Sequence, residues 1–204
     1  MSIAPDVDER SAVPGREGLN LLVAACGAVN VVNLHRYLVA FRSLPFARIR
    51  VVLTPAASRL VVPSSIELFC DEVLLDDDPA VKFDPGHVAL ADWADEFVVL
   101  PATANFLART AVGLAGDLIN TALLAYSGRA VVFPSMNTRM WEKPSVQRNV
   151  AQLRADGFHV IEPPRVPGYE TSTGTVRTHP GLHTPNGSSN SSACFGRPIG
   201  SRRS

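Results

Sequence analysis

Charge imbalance, paired cysteines and long apolar runs are all missing from this sequence, and each absence removes a class of function. Nineteen lysines and arginines balance nineteen aspartates and glutamates over 204 residues. A chain without net positive charge lacks the electrostatic term that draws proteins to polyanions, so nucleic acid is not an expected partner. Cys26, Cys70 and Cys194 stand far apart with no Cys-x-x-Cys pair. Neither a disulfide framework nor a cysteine metal site is expected, and a reducing cytoplasm suits such thiols best. The most apolar stretch, residues 19–32, is interrupted by Asn30 and falls short of the ~20 residues needed to cross a bilayer. No membrane span is expected. The first 18 residues carry Asp6, Asp8, Glu9, Arg10, Arg16 and Glu17, the reverse of a signal peptide's basic start and apolar run. They read as a flexible leader. The full Gly-x-Gly-x-x-Gly and Walker lysine fingerprints are also absent.

What remains is a pattern of alternating elements in a chain long enough for one domain with a sizeable core. Residues 21–25 form a continuous apolar run that breaks at Cys26-Gly27-Ala28, after which Val31, Leu34, Leu38 and Phe41 recur at helical spacing. Three more short apolar runs, at 49–53, 96–100 and 130–133, each end at a turn containing proline: Thr54-Pro55, Pro101 and Pro134. Pro144 opens a further helix with Val146, Val150 and Leu153 on one face, and Gly157 closes it before a strand at 159–161. An apolar helical stretch also covers 106–125. Strands alternating with helices imply an α/β fold, a three-layer Rossmann-like (flavodoxin-like) parallel sheet with helices on both faces. The expected division is a leader over 1–18, the main domain over 19–166, a flap over 167–185 and a disordered Gly/Ser-rich tail over 186–204, in which Cys194 has no assigned role.

Ligands of such sheets bind beyond the carboxyl ends of the strands. The first strand-to-helix turn offers Gly27 and Ala28, whose backbone N–H groups and helix start suit a phosphate. Thr54 and Ser58 add hydroxyls after the second strand. Without a dinucleotide or Walker fingerprint, a mononucleotide such as FMN is easier to support than NAD or ATP.

Two later loops are more specific. Pro101-Ala102-Thr103-Ala104-Asn105 resembles the Pro-Ala-Ser-Ala-Asn-Thr motif of the homo-oligomeric flavin-containing cysteine decarboxylases. Pro134-Ser135-Met136-Asn137-Thr138-Arg139-Met140-Trp141 resembles that family's Pro-x-Met-Asn-x-x-Met-Trp motif and matches it at every fixed position. The resemblance runs from about residue 21 to 185. It implies an FMN cofactor held by Gly27, Ala28, Thr54, Ser58, Pro101, Ala102, Thr103 and Asn105. His87, one strand upstream of the first motif, takes the place of the family's catalytic histidine, which in trimeric members reaches a neighbouring subunit's flavin. Asn137 takes the place of its carboxylate clamp. A homotrimer, or trimers assembled into a dodecamer, is therefore expected. There are departures: Thr103 stands for Ser and keeps a hydroxyl, Phe106 stands for Thr and puts a polar contact in doubt, and Ala28 stands where many relatives carry serine.

Within the family the sequence looks closer to the epidermin-type peptidyl-cysteine decarboxylases than to the phosphopantothenoylcysteine decarboxylases of coenzyme A biosynthesis. The segments Asn33-Leu34-His35-Arg36-Tyr37 and 65–71 carry that likeness. The flap, with Tyr169, Thr171, Ser172 and Gly174 as substrate-binding candidates beside Asn105, Met136 and Asn137, lacks the cysteine by which the coenzyme A enzymes return electrons to their product. The implied substrate is a precursor peptide with a C-terminal cysteine, and other peptide-modifying enzymes are further partners. Electrons left by departing carbon dioxide need a sink. Oxidation of the cysteine Cβ–SH unit by FMN creates a β-thiocarbonyl acid that loses carbon dioxide to an enethiolate, the precursor of S-aminovinyl-cysteine. His87 serves as base at the thiol or a neighbouring proton. Asn137 holds the carboxylate and Asn105 positions substrate or flavin. The coenzyme A reaction remains the alternative enzyme, and a non-catalytic regulatory relative the alternative of another class.

Overall fold

A computed structural model describes residues 18–79, 86–170, 174–180 and 182. The leader, the tail with Cys194, and Thr171 and Ser172 of the flap lie outside the described residues. Six strands, β1 (Leu19–Ala25), β2 (Phe46–Leu53), β3 (Glu72–Leu75), β4 (Glu96–Ala102), β5 (Val131–Pro134) and β6 (His159–Val160), form one sheet in the order β3-β2-β1-β4-β5-β6. All neighbours pair in parallel. The Rossmann-like expectation holds. Chain order reverses between β1 and β4, which makes the carboxyl ends of these two strands the topological switch point.

The continuous apolar strands follow from burial on both faces. Leu22 and Ala24 of β1 point into one core, with α4 (His87–Trp93), α5 (Ala104–Ala111), α6 (Leu118–Ala125) and α8 (Pro144–Ala155) packed over it. Leu21, Val23 and Ala25 point into the other, under a 3₁₀ turn (Val29–Asn33) and α1 (Leu34–Arg42), with the short helices α2 (Pro55–Ser58) and α3 (Pro63–Ile66) beside it. Val146, Val150 and Leu153 are buried on α8 as their spacing requires, and Gly157 adopts φ +96° just after the helix.

The structure departs from the sequence reading in four places. β2 begins three residues earlier, at Phe46, because Arg48 and Arg50 interrupt an otherwise apolar edge; Arg50 pairs with Glu72 at 2.6 Å and lies 4.4 Å from the Trp93 ring centre. The four-residue edge strand β3 is additional. The apolar stretch 106–125 is two helices, not one: Gly113 at φ +68° follows α5, and Asp117 caps α6 by accepting the Asn120 N–H at 2.8 Å. Finally, the flap is an antiparallel hairpin of β7 (Arg165–Glu170) and β8 (Thr175–Pro180), with Gly174 at φ +66° in its turn.

Candidate active site at the carboxyl rim of the sheet

Four loops that the sequence singles out lie side by side because backbone hydrogen bonds continue past the strand ends. Thr54 N–H donates to Ala25 O (3.0 Å), Cys26 N–H to Pro101 O (2.9 Å) and Ser135 N–H to Ala102 O (2.8 Å). Gly27, Ala28, Thr54, Ser58, Pro101, Ala102, Thr103, Asn105, Met136 and Asn137 thereby share one rim. Glycine is required at position 27 by packing: a Cβ there would sit 2.4 Å from Ala56 Cβ and 2.8 Å from the Ala56 carbonyl carbon, so the turns after β1 and β2 close on each other only without a side chain.

The rim hydroxyls have structural duties. Thr54 Oγ1 donates to Ala25 O and accepts from Ala57 N–H at 3.2 Å, capping α2. Ser58 Oγ donates to Pro55 O, and Thr103 Oγ1 accepts from Phe106 N–H at 3.2 Å, capping α5. Backbone N–H groups at the starts of these helices are then the natural anion donors. Phe106 is buried in the core beneath the rim, so its replacement of threonine does not place an aromatic ring in the crevice. Cys26 is also buried; burial pushes its thiol up to about 12, outweighing its hydrogen bonding to Thr103, so it is a neutral packing group and no nucleophile.

Asn137 is exposed and its Oδ1 accepts the Met140 N–H at 2.9 Å, capping α7 (Thr138–Trp141). Its Nδ2 group is the end left to face a ligand. Met136 packs against the core and Trp141 is within it, whereas Met140 is exposed. β8 of the hairpin lies against α7, and Arg165 pairs with Glu142 at 3.3 Å, so the flap is anchored next to the Asn137 loop. Tyr169 and Gly174 belong to that hairpin.

His87 is half-buried and stands apart. α4 ends at the opposite edge of the sheet, where Asn20 Nδ2 donates to Trp93 O (3.1 Å) and Asn20 N–H to Asp95 Oδ2 (3.0 Å). Its seven residues rise only ~10 Å, about half the span of seven-residue β4. No hydrogen bond among the described residues joins His87 to the rim loops. Asn30 is a member that sequence reasoning missed: its Nδ2 donates to Ser135 Oγ at 2.9 Å across 105 positions. Only its place one turn after Gly27 hinted at this. A groove of about 1130 Å³ lies at the opposite end of the sheet, between Leu19, Tyr126, Arg129 and Phe158, away from the rim.

None of the four rim loops, 26–30, 54–58, 101–105 and 134–138, contains an acidic residue, and Gly27, Ala28, Ala56, Ala102 and Ala104 are small. Loops without acidic side chains and with small residues at a switch point fit an anionic mononucleotide with a flat ring. The flavoprotein family model matches residues 11–180. The chain belongs to the flavoprotein family. This flavoprotein is 41% identical over 165 residues to mersacidin decarboxylase of Bacillus sp. (strain HIL-Y85/54728), covering 81% of this chain and 84% of that one. A structure of the peptidyl-cysteine decarboxylase EpiD in complex with substrate peptide DSYTC superposes with a TM-score of 0.76 at 26% identity, over 87% of this chain and 98% of that one. The FMN-dependent cysteine decarboxylase SpaF gives a TM-score of 0.68 at 35% identity, over 87% and 94%. The bifunctional coenzyme A biosynthesis protein CoaBC of Haemophilus influenzae is 36% identical over 119 residues, but this flavoprotein spans only 30% of its length. None of the described helices is long and apolar enough to cross a membrane.

Proposed function

We propose that this flavoprotein is an FMN-dependent peptidyl-cysteine decarboxylase, which oxidatively decarboxylates the C-terminal cysteine of a ribosomally made precursor peptide to an aminoenethiol. The observation that carries the reading is the convergence of both family loops on the β1/β4 switch point, in a chain that matches mersacidin decarboxylase over most of its length. Bound FMN supplies the two-electron acceptor that a cysteine Cβ–S unit needs before its carboxylate can leave. The backbone of Gly27 and Ala28 and the first turns after Thr54 and Thr103 hold the phosphate, while Pro101, Ala102 and Asn105 wall the ring. Asn137 Nδ2 donates to the substrate carboxylate. Being uncharged, the amide orients the group without overstabilising the anion that is lost. His87 moves the proton at the substrate thiol or its neighbour. The family resemblance, in which that histidine reaches a neighbouring subunit's flavin, supports a site completed by a second copy in a trimer or a multiple of it. The hairpin with Tyr169 and Gly174 covers the peptide residues preceding the cysteine by adding backbone hydrogen bonds, with Thr171 and Ser172, outside the described residues, as further candidates from the sequence.

The likeness to CoaBC favours one second reading, decarboxylation of phosphopantothenoylcysteine. The flap 167–185 contains no cysteine to return electrons, which supports the peptide reading. The purified protein should be yellow and release FMN on denaturation. Colourless protein that FMN does not reconstitute contradicts both readings.

A further inference from the structure

The hydrogen bond from Asn30 Nδ2 to Ser135 Oγ joins two loops with separate duties in the site. Asn30 lies on the 3₁₀ turn that follows the Gly27 turn, and Ser135 lies two residues before Asn137. Ser135 is 5% exposed, and its backbone N–H is already tied to Ala102 O at 2.8 Å. The side-chain bond to Asn30 is thus a second restraint on a loop whose next polar residue is exposed. Among the described residues no buried side-chain oxygen or nitrogen lacks a partner. Removing Asn30 would leave a buried hydroxyl without the donor it now has, at a cost larger than the loss of one ordinary hydrogen bond. The loop can relieve that cost only by moving, and Asn137 moves with it.

We infer that Asn30 is a positioning residue for the substrate carboxylate: acting through Ser135, it holds the Pro134-Ser135-Met136-Asn137 loop at the distance from the cofactor turn that peptide binding requires. The inference rests on the proposed function for its ligand, and on the loop contact alone for its mechanics. It sets Asn30 apart from a phosphate ligand, since its effect falls on the peptide and not on the flavin.

The test uses the holoenzyme carrying His87→Asn to stop turnover, with peptide binding read from the visible flavin spectrum as a peptide ending in free cysteine is titrated. Asn30→Ala should leave flavin affinity unchanged and weaken peptide binding on the order of tenfold, the consequence of an orphaned buried hydroxyl. Adding Ser135→Ala removes that hydroxyl and should recover part of the loss, which a direct contact of Asn30 with peptide or flavin would not allow. Hydrogen exchange of the backbone amides at 135–140, measured without peptide, should quicken in Asn30→Ala and slow again in the double variant. Unchanged peptide affinity in Asn30→Ala, or a Ser135→Ala loss that adds to it, overturns the inference. A parent protein that takes up no FMN or binds no cysteine peptide defeats the proposed function instead; the exchange rates then decide the loop contact by themselves, and unaltered exchange overturns it.

Discussion

Asn137 presents two ends of one amide to two tasks, and substitutions separate them. Its Oδ1 caps α7, and among the described residues its Nδ2 has no hydrogen-bond partner, which leaves it for a carboxylate. Asn137→Ser keeps a capping oxygen and removes the amide donor, whereas Asn137→Ala removes both. Both should lose turnover by about 10²-fold or more, as when one preorganised donor is deleted, yet only the alanine variant should lose stability, by about 1 kcal/mol. His87→Asn should match the activity loss with flavin retained, since a positioned proton-transfer group contributes about 10²-fold or more. Steady-state decarboxylation and urea unfolding make the comparison, and full turnover in Asn137→Ser would reduce the residue to a cap. The roles of Thr54, Ser58 and Thr103 were harder to read from sequence. Helix caps and anion ligands draw on the same residue types at the same strand-to-helix positions, so a hydroxyl there announces a helix start as readily as a ligand. Asn30 was illegible for another reason: its partner is 105 residues away, and nothing in either local sequence names the other.

Elements that bury both faces were legible from their apolar runs, and β1, β4, β5 and α8 lie within a residue or two of where periodicity places them. β3 was not, because four residues followed by Asp76-Asp77-Asp78 are too short an apolar run to stand out. Short edge strands of this kind carry little pattern. Asp76 is nonetheless only 6% exposed, and its Oδ1 accepts the Ile119 N–H at 3.0 Å, tying the end of β3 to the start of α6. Burial first, and then the charge of Asp117, push its carboxyl up from 3.8 to about 6, against the pull of the Ile119 and Leu118 N–H groups and Arg109. A raised native value means that the folded state binds the proton more tightly than the unfolded chain does. The stabilisation is therefore complete below about 4 and is lost as the pH rises to about 6. Urea unfolding at stepped pH should show this decline from Asp76, and Asp76→Asn should flatten it while keeping an acceptor for Ile119. An unchanged slope in that variant would show that Asp76 is not the titrating group.

For the whole molecule, the proposed site draws His87 from one copy and the rim loops from another. His87 opens α4, and Val112 and Leu114 after α5 and Leu124 on α6 are more than half exposed. These features lead to the expectation of a trimer or a multiple of it by light scattering, with a stable active monomer as the contrary result. Fold class and both family loops could be read from the sequence because they depend on local pattern, whereas contacts between loops depend on the path of the sheet. The central claim, oxidative loss of carbon dioxide from a peptide's terminal cysteine, is tested most directly by mass spectrometry of a cysteine-ending peptide incubated with the protein in air, alongside its C-terminal amide and phosphopantothenoylcysteine. The account predicts that the free-acid peptide loses carbon dioxide and two hydrogens together and that the amide is untouched. Faster turnover of phosphopantothenoylcysteine to a saturated thiol, with the peptide unchanged, would contradict it.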